Sequence, residues 1–180
     1  MPLTTYTAGQ VLTAASLNAN FTFAASVGGV VQVKSTAKTD TFTTTSASFV
    51  DVTGLSVSIT PTSATNKILI NVSLAINGTS TVNAVQAVLL RDSTQIAIGD
   101  AAGSRTRSTV GNSEGAATEI QTANIMFLDS PATTSATTYK IQIRSNSSPA
   151  TSFINRTSTD SDSTGFSRAI STITVMEVTP

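Results

Sequence analysis

The stretch NKILINVSLAING, residues 66–78, constrains this chain more than any other. Ile68, Ile70, Val72, Leu74 and Ile76 take alternate positions, with Lys67, Asn71 and Ser73 among the residues between them. In an extended strand successive side chains point to opposite faces, so the five aliphatics share one face. The same period of two returns in VVQVKS from Val30, in GLSVSIT (Leu55, Val57, Ile59), in TTYKIQIRS (Tyr139, Ile141, Ile143) and in the closing SRAISTITVMEV. TFTTTSASFVDV, TEIQTANIMFL and TSFINR add further runs, and AVQAVLLRDSTQIAIGD reads as a hairpin turning near Asp92 and Ser93. Asn77-Gly78 is predicted to turn the chain at the end of its strand. Roughly eight to ten strands in about 150 residues, with no internal helical pattern, predict an all-β fold, a sandwich or barrel.

One segment breaks the pattern. In TYTAGQVLTAASLNANF, Thr13 is placed to cap a helix with its hydroxyl. Ala14, Leu17, Phe21 and Ala24 then follow at spacings of three, four and three, the seam of a short coiled coil. So short a helix is marginal alone in water, and its stripe needs a partner. Gly28 and Gly29 are expected to end it.

Val85 to Leu90 and Ile120 to Leu128 carry apolar residues on both faces. Such strands either meet another subunit or lie under a long loop. The Ser/Thr/Gly/Asp stretches at 99–117 and 155–165 are the predicted exposed loops.

Charged residues are 11% of the chain, against roughly 25% in an average soluble protein. Ser and Thr, about a third of the residues, take over solvation. A surface so short of charge is easier to understand when part of it is covered by other subunits. Ten basic and ten acidic residues leave no electrostatic footprint for nucleic acid. SRTR at 104–107 reads first as an exposed loop. No apolar run reaches the length of a membrane span, and MPLTTYTAGQ lacks the basic and apolar regions of a signal peptide.

The chain has no His and no Cys, which removes imidazole bases, thiol nucleophiles and the usual zinc ligands. No Gly-rich phosphate motif occurs. Asp160 and Asp162 are the one close pair of carboxylates; they read as a solvated loop, with a weak oxygen-only Ca²⁺ site as the second reading. Asp100, Glu114 and Asp129 have no assignable partner. Five Asn-x-Ser/Thr triplets are accounted for by the abundance of Ser and Thr. The residues therefore predict no enzyme and no cofactor.

YTAGQVLTAASLNANF resembles the N-terminal segment of small tail-fibre and other virion appendage proteins of tailed bacteriophages, where TAGQVLTA…LN stands ahead of a β-rich body. Residues from VVQVKS to KILI are similar to the start of the β-domain that follows it there, and STITVMEV to a closing strand. Together these stretches span about 80 of the 180 residues. The resemblance implies a homotrimer whose N-terminal segments attach to the particle while a jelly-roll-like knob points outward. Residues 1–27 would be the arm, with Leu12, Leu17 and Phe21 as its anchors, and 28–180 a β-sandwich knob. Arg105, Arg107, Asn112, Asn155 and Arg156 would lie on exposed loops facing the host.

The function expected on this reading is a short trimeric tail fibre, non-enzymatic, attaching by avidity to a host-surface glycan or protein. Its other partners would be virion proteins bound through the arm, with no nucleic acid and no membrane insertion. It would be made in the host cytoplasm and reside on the virion surface. A trimeric capsid decoration protein or head fibre is the alternative. An enzymatic tailspike is disfavoured by size and by the lack of internal repeats, and a cellular carbohydrate-binding module by the opening motif.

Overall fold

The computed structural model describes residues 5–11, 13–26, 28–79, 85–112, 118–146 and 150–179. These form one helix, α1 (Ala14–Ser26), and eleven strands: β1 (Val30–Lys38), β2 (Phe42–Thr44), β3 (Val50–Ile59), β4 (Lys67–Gly78), β5 (Val85–Arg91), β6 (Thr94–Ile96), β7 (Val110–Asn112), β8 (Gln121–Asp129), β9 (Thr137–Ser145), β10 (Ser152–Ile154) and β11 (Ser171–Val178). The fold is all-β with one short helix, as the alternating runs predict.

All strand pairs are antiparallel and fall into two sheets. In the first, β1 pairs with β11 and β11 with β4, while β8 runs along the opposite edge of β4. The short β10 continues the β11 side of β4 and pairs in turn with β2. In the second, β3, β9 and β5 lie side by side, with β6 and β7 in succession on the remaining edge of β5.

The inner faces of both sheets share one core. Ile68, Ile70, Val72, Leu74 and Ile76 of β4 are all buried there, as their alternation requires. Leu55 of β3, Leu89 of β5 and Ile141 of β9 come from the opposite sheet. Removing these faces from water is the main stabilising term.

Asp129 ties the two sheets together at one end. It closes β8 in the first sheet and accepts hydrogen bonds from the Tyr139 hydroxyl (2.7 Å) and Arg91 Nη1 (2.9 and 3.0 Å) of the second. Burial, then the bond to Asp129, pushes the Tyr139 phenol far above its ordinary range, so it stays a donor. Tyr139→Phe is expected to cost about 2 kcal/mol, the value of a buried bond to a charged acceptor. Urea unfolding of the two proteins measures it, and equal midpoints would show that Asp129 is satisfied without Tyr139.

Two local expectations need correction. Asn77-Gly78 does not turn but continues β4, because Phe153 and Ser152 of β10 supply a ladder partner; the Asn77 side chain is buried and donates to the Glu119 carbonyl. TFTTTSASFVDV is two strands, not one. Ser46 breaks it by bonding locally, its amide to Thr44 Oγ1 (3.1 Å) and its hydroxyl to the Ser48 carbonyl (2.7 Å). In β3, register slips between Asp51 and Ser56 around Gly54, whose φ of 81° suits glycine. The hairpin turn at Asp92 and Ser93 stands as predicted, between β5 and β6.

Candidate interaction surfaces

The helix begins where its cap predicts. Thr13 Oγ1 accepts from the Ser16 amide (3.2 Å), and the Thr13 carbonyl from the Leu17 amide (3.0 Å). Among the described residues α1 makes no substantial packing contact with any strand. The described part of its stripe is open: Leu17 is exposed and Phe21 is 64% exposed. The third predicted anchor, Leu12, lies outside the described residues. Just after the helix, Gly29 is pinned to the body, its amide to Thr179 Oγ1 (2.8 Å) and its carbonyl to the Thr179 amide (3.1 Å). The body therefore takes hold at the glycine pair.

The loop between β6 and β7 closes on itself. Gly99 and Ser108 bond through the backbone, and Arg107 Nε donates to the Gly99 carbonyl (2.6 Å). Arg107 is thus exposed but engaged as a clasp, whereas Arg105 is simply exposed. The Asn112 side chain lies outside what is described, although its backbone pairs with Val85.

The loop after β10 is exposed over 159–165, as expected, but its first residues turn inward. Asn155 is not exposed but fully buried, donating from Nδ2 to the carbonyls of Lys38 (2.7 Å) and Asp40 (2.9 Å). Its Oδ1 accepts from the Ser171 hydroxyl (2.6 Å). Arg156 is also committed internally: it donates to the carbonyls of Thr157 and Ser158 and stacks 4.7 Å above the Phe153 ring. Neither side chain is available to a receptor. A loop rich in Asn, Arg and Ser looks solvated in sequence, yet these side chains turn inward to satisfy backbone groups at the sheet end.

Asp160 and Asp162 line a shallow hollow of about 320 Å³ with Phe166 and Arg168. Asp160 is taken by Arg168 (2.6 Å) and Arg156 (3.4 Å), so its charge already has two guanidinium partners. Among the described residues no three acidic side chains gather as a metal would need.

The two strands with apolar residues on both faces separate. Val88 and Leu90 of β5 are buried by the chain itself, which answers the question there without a second subunit. On β8 the second face stays open, with Met126 72% and Leu128 47% exposed. Val30, Val31 and Val33 of β1 are exposed as well. That surface was legible only as the VV pair in VVQV, apolar on both parities.

The exposed surfaces can bind by apolar contact and by loop display. No helix among the described residues is long and apolar enough to cross a membrane. No known family model matches this chain, and no curated protein does either.

Proposed function

We propose that this protein is a non-enzymatic structural component of a tailed-phage virion, a short trimeric tail fibre held by its N-terminal arm. The observation that carries the reading is the capped helix with Leu17 and Phe21 in solvent, standing ahead of a body with which, among the described residues, it makes no substantial packing contact. A short helix that leaves Leu17 and Phe21 in solvent asks for a docking partner. The N-terminal resemblance to phage appendage proteins supplies the kind of partner.

The strand order supports a jelly-roll knob. With β2, β6 and β10 set aside and the equally short β7 kept, the eight strands in chain order pair as first–eighth–third–sixth (β1-β11-β4-β8) and second–seventh–fourth–fifth (β3-β9-β5-β7). That is the winding of two Greek keys over two sheets. On such a knob the loop around Arg105 is the outward display, and weak contacts repeated over three copies give useful attachment.

Antibody-gold labelling of particles tests the placement. Gold on the tail supports the fibre; gold spread over the head would make it a decoration protein. Removing residues 1–27 tests the arm. The truncated protein is expected to remain soluble, with an unchanged β-rich circular dichroism spectrum, and to be missing from particles. Normal incorporation would overturn the anchoring role.

A further inference from the structure

We infer that copies of this chain pack on one another through the outer face of the six-stranded sheet; this rests on the oligomeric reading above and identifies the surface that serves it. Pairing register sets side chains from four strands in lateral rows on that face. Val33 of β1 stands opposite Met176 of β11, Met176 opposite Leu69 of β4, and Leu69 opposite Leu128 of β8. This row is apolar from edge to edge, about 14 Å at the usual strand spacing. Val33 and Leu128 at its ends are 52% and 47% exposed, and Leu69 and Met176 between them are partly exposed.

The next row reads Ser35, Thr174, Asn71 and Met126. Ser35 and Thr174 bond to each other through their hydroxyls (2.8 Å), so part of its polar content is satisfied before anything covers it. Covering such groups costs little, while covering the apolar row returns free energy. The row on the other side adds Val30 and Val178, and the first charge met is Lys67 at its border. Val31, Val33, Met126 and Leu128, exposed, flank the partly exposed Leu69 and Met176 in one contiguous apolar patch, and the largest such patch on a soluble protein is often functional.

Two features select a second copy as the occupant. Identical faces bring identical charges together, so a self-pairing surface must avoid a single-sign field, and neither central row carries any charge. A different partner would ordinarily be chosen by complementary charge, and this face offers almost none. The second feature is continuity along the chain. Only residues 27–29 separate α1 from Val30, where the face begins. One symmetry axis can therefore bury both the helix stripes and the sheet faces of several copies.

Sedimentation of the full chain and of the double variant Met126→Glu, Leu128→Glu tests this. The wild-type chain is expected to be an oligomer and the variant a folded monomer, because each copy would bring two carboxylates to the shared face. Since the chain has no cysteine, single substitutions give an independent check. With a short bis-maleimide, Met126→Cys and Val33→Cys should yield covalently linked copies, and Ser56→Cys on the exposed side of β3 should yield none. An oligomer that survives the double variant, or links only through Ser56→Cys, would overturn this face and leave oligomerisation standing. A wild-type chain that is monomeric at every concentration would overturn both, and the face would then belong to a different protein.

Discussion

Glu177→Gln is expected to destabilise the protein by about 3 kcal/mol at neutral pH and by much less near pH 2. Glu177 is fully buried, yet among the described residues no cation pairs with it. Its carboxylate accepts instead from Gln32 Nε2 (2.6 Å), Asn66 Nδ2 (2.6 Å), and the Thr62 amide and hydroxyl (both 2.7 Å). Burial alone would raise its pKa, but the hydrogen bonds from Gln32, Asn66 and Thr62 outweigh it and hold the group at about 2, against an ordinary 4.5. A lowered folded-state pKa stabilises above the unfolded value. This contribution is therefore complete above about pH 5 and is lost as pH falls from 4.5 through 2.

Glutamine keeps the shape but turns one acceptor into a donor among four donors. Gln32 cannot easily invert its amide to compensate, because the same Nε2 donates to the Thr60 carbonyl (2.8 Å). Chemical denaturation from pH 2 to 7 should show the two stability curves converging on the acid side. Curves that stay parallel would mean that the carboxylate charge is not what these donors hold.

Asn155→Ala is expected to cost about 3–4 kcal/mol. The substitution leaves the carbonyls of Lys38 and Asp40 without their amide donor and the Ser171 hydroxyl without its acceptor, each at a buried or partly buried position. Ser171 in turn accepts from the Ala75 amide (3.0 Å), so the defect reaches β4. The backbone adds a second cost: φ at Asn155 is 64°, where asparagine is tolerated and alanine loses about 1 kcal/mol. Asn155→Gly loses the same hydrogen bonds but not the conformational term, and should recover about that amount. Thermal or urea unfolding of the pair separates the two causes. A loss below about 1 kcal/mol for alanine would show that the loop does not need this pin.

Much of this was legible from spacing. Thr13 was recognisable as a cap because capping is decided within one helical turn. The inward set of β4 was recognisable because five alternating aliphatics leave a single register that buries them. Glu177 carried a partial signal: it shares the parity of Ile173 and Val175, so it had to point inward with them. Its partners were not legible, since Gln32, Thr62 and Asn66 lie more than 100 residues away in the chain. Asn77-Gly78 shows the same limit from the other side. Its local turn preference yielded to β10, which arrives some 75 residues later to complete the ladder.

The sequence by itself determined the elements, the inward face of most strands, the open stripe of the helix and the absence of thiol and imidazole chemistry. These follow from composition and from neighbours a few residues apart. Only the tertiary structure decided that Asn155 and Arg156 are internal struts, that β5 is covered by its own chain, and that Val33, Met176, Leu69 and Leu128 line up across four strands. The physical reason is common to all three. Lateral register and loop packing depend on residues distant in the chain meeting at a few ångströms, and periodicity along one strand carries no information about which strand lies beside it.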